Sequence, residues 1–309
     1  MFTISVILPT YNGATRGEGK YLKQAIESVL NQSYSNFELI IINDGSIDDT
    51  EKIIKTYKDE RIIYLKHDIN KGPAAARNTG LRNSRGEYIA FLDDDDYFYK
   101  NKLEIQMLYM LKKLIDISLC DGDVITENGV KIRQIDNKGV EPYIKDIYCF
   151  NINGFASIMI DKKIINYGLY FNEYLTALED WDFLLRAALK YNFSLVSDRL
   201  YAYRKHPQSL SLNIESMYIN SLFISFNLLR ELLSYYNGDE KKYYFDNFFT
   251  WVKSTYYNNY YKVFRNMFKI SKLYGSLPFI WHIKYYLSYF PFIVPFLKKI
   301  RSLCKKKHA

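Results

Sequence analysis

The first hundred residues predict an α/β protein built on a wound, mostly parallel sheet, and three observations carry that expectation. Short apolar runs alternate with stretches of helical spacing. Two of the runs, Ile4–Pro9 and Phe37–Asn43, are nearly continuous in apolar residues, as strands buried on both faces must be. Polar punctuation follows the first, second and fourth runs, and ligands of such sheets sit at the carboxyl ends of strands where the strand order switches.

Ile4–Pro9 is the first strand; no basic segment precedes its apolar run, which is too short for a signal peptide. Tyr21–Asn31 repeats apolar residues at Leu22, Ile26, Val29 and Leu30 and predicts a helix. Phe37–Asn43 is the second strand and ends at the turn Asp44-Gly45-Ser46. Asp48-Asp49-Thr50 opens a helix to about Lys58, and Arg61–Lys66 is a third strand. Gly72–Asn83 is a helix with Pro73 in its first turn. Glu87–Leu92 is a fourth strand that runs straight into Asp93-Asp94-Asp95-Asp96. Beyond Lys100 the pattern is mixed: a helix over about Lys102–Leu114, then irregular strands through Ile158–Ile160. An amphipathic helix follows from Asp180 to about Lys190, and Ser194–Arg204 is the last strand. From Glu215 the chain reads as helical and rich in tyrosine and phenylalanine. The expected organisation is therefore a first domain over 1–213 and a helical region over 214–309.

With 309 residues, 48% of them apolar and 25% charged, the chain can bury a core and is not of the disordered class. Cys120, Cys149 and Cys304 lie far apart, which excludes a disulfide scaffold or a cysteine-rich zinc module and points to the reducing cytoplasm. The formal charge of +8 suggests nucleic acid until it is located: residues 275–309 hold seven Lys and Arg and no Asp or Glu. The rest of the chain is close to neutral and lacks a basic stripe, so no nucleic-acid partner is expected. Leu277–Leu297 is apolar but interrupted by Pro278, His282, Lys284, Pro291 and Pro295, which argues against a spanning helix. Trp281, the tyrosines and the basic cluster behind them fit an anchor on an anionic membrane surface. The alternative is packing on the first domain or on a second subunit in a homodimer.

The four aspartates are the strongest chemical feature. Adjacent carboxylates repel, and a hard cation such as Mg²⁺ or Mn²⁺ relieves them with one or two ligands, phosphate oxygens completing the shell. Alternate residues of extended chain share a face, so Asp93 and Asp95 are the expected metal ligands. Asp44 reads either as a turn former or as the acceptor for the imide N–H of a uracil base. Arg77 reads either as a surface arginine or as a partner of a diphosphate or base, with Lys71 and Arg16 weaker candidates of the same kind. Glu179-Asp180 at a helix start is favoured by the macrodipole, which explains one acid more readily than two.

Six segments occur in one order: SVILPTYNG, ELIIINDGSIDDT, GPAAARNTG, GEYIAFLDDDD, LEDWDFLLRAA and YRKHPQSLS. Over about residues 3–211 this resembles the inverting GT-A glycosyltransferases of family 2. The resemblance implies a GT-A (Rossmann-like) nucleotide-sugar domain, a UDP-sugar donor, Mn²⁺ or Mg²⁺, and a glycan or lipid-linked glycan acceptor. It implies that Pro9, Thr10, Tyr11 and Asn12 border the uridine, that Asp44 contacts uracil, and that Arg77 and Asp94 lie near the nucleotide. Asp93 and Asp95 match the D-x-D metal motif, Asp180 matches the catalytic base, and His206 matches the histidine that closes near the diphosphate. Two departures stand out: Asn43 replaces the first acid of the usual DDGS, and the loop Gly13–Lys20 is longer than the family norm. Members of this length commonly build lipopolysaccharide, capsule or other surface glycans, so a peripheral position on the cytoplasmic face of the membrane is expected. The competing expectation is a sugar nucleotidyltransferase, whose glycine-rich phosphate loop GATRGEGK faintly imitates.

Overall fold

The computed structural model describes residues 2–135 and 154–209, together with Asn220 and Ile224. The chain divides into two compact units, Met1–Leu212 and Asn213–Ala309, and every element below belongs to the first. The expected tail anchor of residues 275–309 lies outside the described residues.

The first unit begins with β1 (Ile4–Thr10), α1 (Lys20–Leu30), β2 (Phe37–Asn43), α2 (Thr50–Thr56), β3 (Ile62–Lys66), α3 (Pro73–Asn83) and β4 (Tyr88–Phe91). It continues through β5 (Tyr97–Phe98), α4 (Lys102–Lys113), β6 (Ile117–Thr126), β7 (Lys131–Ile135), β8 (Met159–Asp161), α5 (Lys163–Asn166), α6 (Glu179–Ala188) and β9 (Phe193–Lys205). The strands form one sheet in the order β3-β2-β1-β4-β8-β6-β9-β5, with β7 paired to β6. β1 is parallel to both β2 and β4, and β2 is parallel to β3. The chain thus winds outward through three strands and returns to the other side of β1, which puts the switch point between β1 and β4. The wound parallel half matches the expectation, while β5, β7 and β8 add antiparallel pairings.

Hydrophobic burial explains each half. Ile4, Val6, Ile7 and Leu8 of β1 and Leu39–Ile42 of β2 are wholly inaccessible, because helices cover both faces of these central strands. α1 turns Leu22, Ala25, Ile26 and Val29 inward at helical spacing. Pro73 begins α3, where its missing N–H costs nothing. α2 stops at Thr56 rather than Lys58 because Tyr57 is already extended.

β9 runs parallel to β6 with register shifts around Asp121, and this long pairing closes the sheet beyond the acid turn. Its Tyr201 is fully buried in a slot that two glycines keep open. A Cβ at Gly122 would lie 2.5 Å from the Tyr201 ring, and one at Gly154 would lie 2.5 Å from its hydroxyl oxygen. We expect Gly122→Ala to cost about 1–3 kcal/mol of stability through overpacking. Urea unfolding checks this as a lower midpoint at unchanged slope; an unchanged midpoint would show that the ring yields without cost.

Candidate functional site

The carboxyl ends of β1 and β2 are laced into one wall. Asp44 donates its backbone N–H to Thr10 O at 2.9 Å. Asn12, in the left-handed region at φ 51°, donates its N–H to Ser46 Oγ and accepts the N–H of Ile47. Asp44 is buried, and its Oδ1 accepts from Lys71 N at 3.0 Å and from His67 Nδ1 at 2.6 Å. Its Oδ2 accepts from Gly72 N at 2.8 Å, which leaves that oxygen one lone-pair position for a further donor. Gly45 has φ +70°, and a Cβ there would meet the Ile69 carbonyl carbon at 2.4 Å, so only glycine lets residues 69–72 close over the turn. Pro9 is partly buried, Thr10 is buried and Tyr11 stands open at the mouth. Lys71 contributes its backbone here, and its side chain is exposed.

The acid turn follows β4 directly. Asp94 and Asp96 are buried, whereas Asp93 and Asp95 are half-buried and share the open side, as the alternation in the sequence predicts. Each acid is matched by a different part of the chain. Asp93 Oδ1 accepts from Arg77 Nη2 at 2.6 Å. Asp94 Oδ2 accepts from Thr10 Oγ1 and from Arg16. Asp95 Oδ2 accepts from His206 Nε2 at 2.9 Å, and Asp96 Oδ1 accepts from Arg204 N at 2.8 Å. His206 Nδ1 in turn accepts the N–H of Gln208 at 3.3 Å, which leaves Nε2 as the donor to Asp95. Burial pushes the Asp94 carboxyl up to about 6 although Arg16 opposes the shift, and burial beside Asp95 and Asp93 holds Asp96 well above the usual range.

Arg77 is no surface arginine: it is buried and joins two distant segments. Its Nη1 donates to Glu179 Oε1 at 2.5 Å while Nη2 holds Asp93. The guanidinium lies 4.7 Å from the Phe155 ring centroid and 5.7 Å from that of Phe171, over a floor that Phe91 and Phe183 complete. Burial alone would lower its pKa, but Asp93, Glu179 and Asp180 outweigh that and hold it above its ordinary value. Its Nε is buried with no partner among the described residues. Leu178 precedes Glu179 at φ 63°, a strained conformation for leucine at the entry to α6, whose first residue Glu179 meets Arg77. Asp180 accepts the N–H of Trp181 at 2.7 Å. Burial first, then Glu179, pushes its carboxyl up to about 6 against the pull of Arg77.

Among the described residues no three metal-binding side chains already converge on a point. Asp93 Oδ2 and Asp95 Oδ1 nevertheless have no partner there, and two half-exposed carboxylate oxygens suit a hard cation that takes its remaining ligands from phosphate and water. The structure thus gathers Thr10, Asn12 and Asp44 on one wall, and Arg77, Asp93, Asp95, His206 and Asp180 around the acid turn. Sequence reading missed His67, which orients Asp44, and Arg204, which supports the turn. Arg204 Nε donates to Asp95 O at 2.9 Å and its guanidinium stacks 4.5 Å from the Tyr21 ring centroid. The only signal for either was a polar residue at a strand end.

Residues 5–167 match the family model described as glycosyl transferase family 2. An uncharacterized glycosyltransferase of Rickettsia bellii is 44% identical over 134 residues, 43% of this chain and 19% of that protein. The Escherichia coli protein named UDP-Glc:alpha-D-GlcNAc-diphosphoundecaprenol beta-1,3-glucosyltransferase WfgD is 38% identical over 165 residues, 53% of this chain and 62% of its own. The match therefore spans about a fifth of the Rickettsia relative and under two thirds of WfgD. S. aureus TarS 1–349, solved in complex with UDP, superposes with a TM-score of 0.61 at 25% identity, covering 79% of this chain and 69% of that one. The GT-A fold expected from the motifs is the fold observed.

Replacing Arg77 by methionine would leave Asp93 and Glu179 uncompensated. The expected loss of stability is about 3–5 kcal/mol. A double-mutant cycle with Glu179→Gln, read by urea unfolding, should recover part of it; strictly additive losses would show that the two side chains do not interact.

Proposed function

The chain belongs to glycosyl transferase family 2, and on that premise we propose that it is a metal-dependent, inverting glycosyltransferase. It moves a sugar from a UDP-sugar to a hydroxyl of a glycan or lipid-linked glycan during synthesis of lipopolysaccharide, capsule or another surface polysaccharide. The observation that carries this reading is the Arg77 bridge, which fastens the helix end bearing Asp180 to the acid turn bearing Asp93. A base and a pair of cation-binding acids thereby share one cleft at the switch point of the sheet. The name of WfgD supports the donor and the lipid-linked acceptor.

In this reading Pro9–Asn12 border the uridine, and Asp44 offers its remaining lone pair to the imide N–H of uracil. Asp93 and Asp95 would hold Mn²⁺ or Mg²⁺. Such a cation would supply charge stabilisation for the departing diphosphate. Arg77 holds Asp93 in place from below, and His206 fixes the rotamer of Asp95. The acceptor hydroxyl has a pKa far above 7, so its proton must be taken as it attacks. Asp180 is ionised above pH 6, and its raised pKa makes it a stronger base than an exposed aspartate. Attack opposite the leaving group inverts the anomeric centre.

Asp180→Asn should lower UDP release in the presence of acceptor by about 10²–10⁴-fold. UDP binding, measured by calorimetry, should be unchanged. In the wild type kcat/KM should fall as pH drops through about 6, because protonation removes the base. Undiminished turnover of the variant would remove Asp180 from this role, and pyrophosphate in place of UDP as product would favour nucleotidyl transfer.

We further place the protein on the cytoplasmic face of the membrane, supported by the basic cluster Lys298, Lys299, Arg301 and Lys305–Lys307 behind an apolar, aromatic segment. The protein should sediment with anionic vesicles and be released by high salt or by deletion of residues 275–309. Indifference to both treatments would remove the anchor while leaving the transferase standing.

A further inference from the structure

Arg16 lies in the long loop between β1 and α1, and that loop is fastened rather than loose. Ala14 N donates to Thr50 Oγ1 at 3.1 Å and Thr15 N to Asp48 Oδ2 at 3.0 Å, both at the start of α2. Thr15 Oγ1 donates to Asn12 O at 2.7 Å, and the chain then turns through left-handed Gly17, Glu18 and Gly19 into α1. This directs Arg16 back into the acid turn. Its Nη2 donates to Tyr11 O at 3.0 Å and to Asp94 Oδ2, and its Nη1 lies 3.9 Å from Asp95 Oδ2. A guanidinium stays protonated in proteins whatever its surroundings. A permanent positive charge is therefore built in beside the carboxylate that would hold the cation.

Two positive charges cannot share Asp95 without cost. A divalent cation on the other oxygen of Asp95 would sit within a few ångströms of the guanidinium, where repulsion across a partly buried site is large. A nucleoside diphosphate reverses the sign of that effect. Its negative charges screen the two cations from one another, and its oxygens match the donor geometry of a guanidinium. We propose that Arg16 makes cation binding at Asp95 conditional on a nucleoside diphosphate, weakening the site for the cation alone and strengthening it for the cation–diphosphate pair. The inference rests on reading the cleft as the nucleotide-sugar site and adds to it a gate peculiar to this loop. By linkage, the factor by which UDP tightens the cation is the factor by which the cation tightens UDP.

The test is a titration of the full-length protein with Mn²⁺, with and without UDP, following free Mn²⁺ by its electron paramagnetic resonance signal. In the wild type Mn²⁺ should bind about tenfold or more tightly with UDP than without it. In Arg16→Gln, Mn²⁺ alone should bind about tenfold more tightly than in the wild type, and the enhancement by UDP should largely vanish. Arg16→Lys keeps the charge and should keep most of the enhancement. Lys20→Gln, which removes an exposed cation 3.4 Å from Glu18, should change neither value. Circular dichroism and thermal melting establish that each variant is folded. If the wild type couples Mn²⁺ and UDP but Arg16→Gln binds Mn²⁺ no more tightly, the gate is overturned and the nucleotide-sugar reading survives. Equal Mn²⁺ affinity with and without UDP in the wild type also overturns the gate, and no UDP binding under any condition overturns both.

Discussion

Four consecutive carboxylates have to be accommodated at the end of β4, and most of the first unit is arranged around that requirement. Repulsion among them is too strong for a buried turn unless each acid finds a partner. Arg77 from α3, Arg16 from the β1–α1 loop, the backbone of Arg204 in β9 and His206 just beyond it supply one each. Elements far apart in sequence are thereby drawn to the same point as β1, where the sheet is most deeply buried. The turn organises the cleft as much as the cleft displays the turn.

How much of this was legible beforehand follows from the range of each interaction. β1 to β4 and their helices declare themselves by local period, and their limits agree with the sequence reading to within about two residues. The alternation of burial inside the acid turn was legible too, since the period of extended chain alone separates Asp93 and Asp95 from Asp94 and Asp96. Beyond the helix that begins at Lys102 the strands through Ile160 were read only as irregular, and Tyr97–Phe98 was not read at all, because two- and three-residue pieces such as it and Met159–Asp161 have no period to detect. His67 and Arg204 could not be nominated, because their value lies in what they touch across the fold. Arg77 was visible as a candidate, yet whether it faced solvent or ligand stayed open; the partner that decides it, Glu179, lies 102 residues away.

The aromatic floor beneath Arg77 gives that ion bridge its weight. Phe171 stacks on Phe183 at 4.3 Å, and Phe91 and Phe155 close the group at 4.7 Å. Such a floor excludes water on one side and strengthens the charge pairs above it. Burial lifts the carboxyls of both Asp94 and Asp180 against the pull of a nearby arginine, with different outcomes. Asp94 is turned inward onto Thr10 and Arg16 and serves the scaffold, whereas Asp180 stays partly open at a helix end. One physical effect yields a structural acid in one place and a chemically useful one in the other.

The long spans between these partners also bear on how the protein comes into being. The acid turn is complete in the growing chain at Asp96, but its partners Arg204 and His206 follow 108 and 111 residues behind the acids they contact. Until β9 emerges, the nascent chain carries a cluster of negative charge at the rim of a half-built sheet. Closure must wait for contacts of long sequence separation, which form slowly because their loop entropy is lost before any contact offsets it. The cleft is therefore among the last parts to mature, and a chain cut short before β9 holds five of the six motifs but lacks Arg204 and His206 and so the completed site.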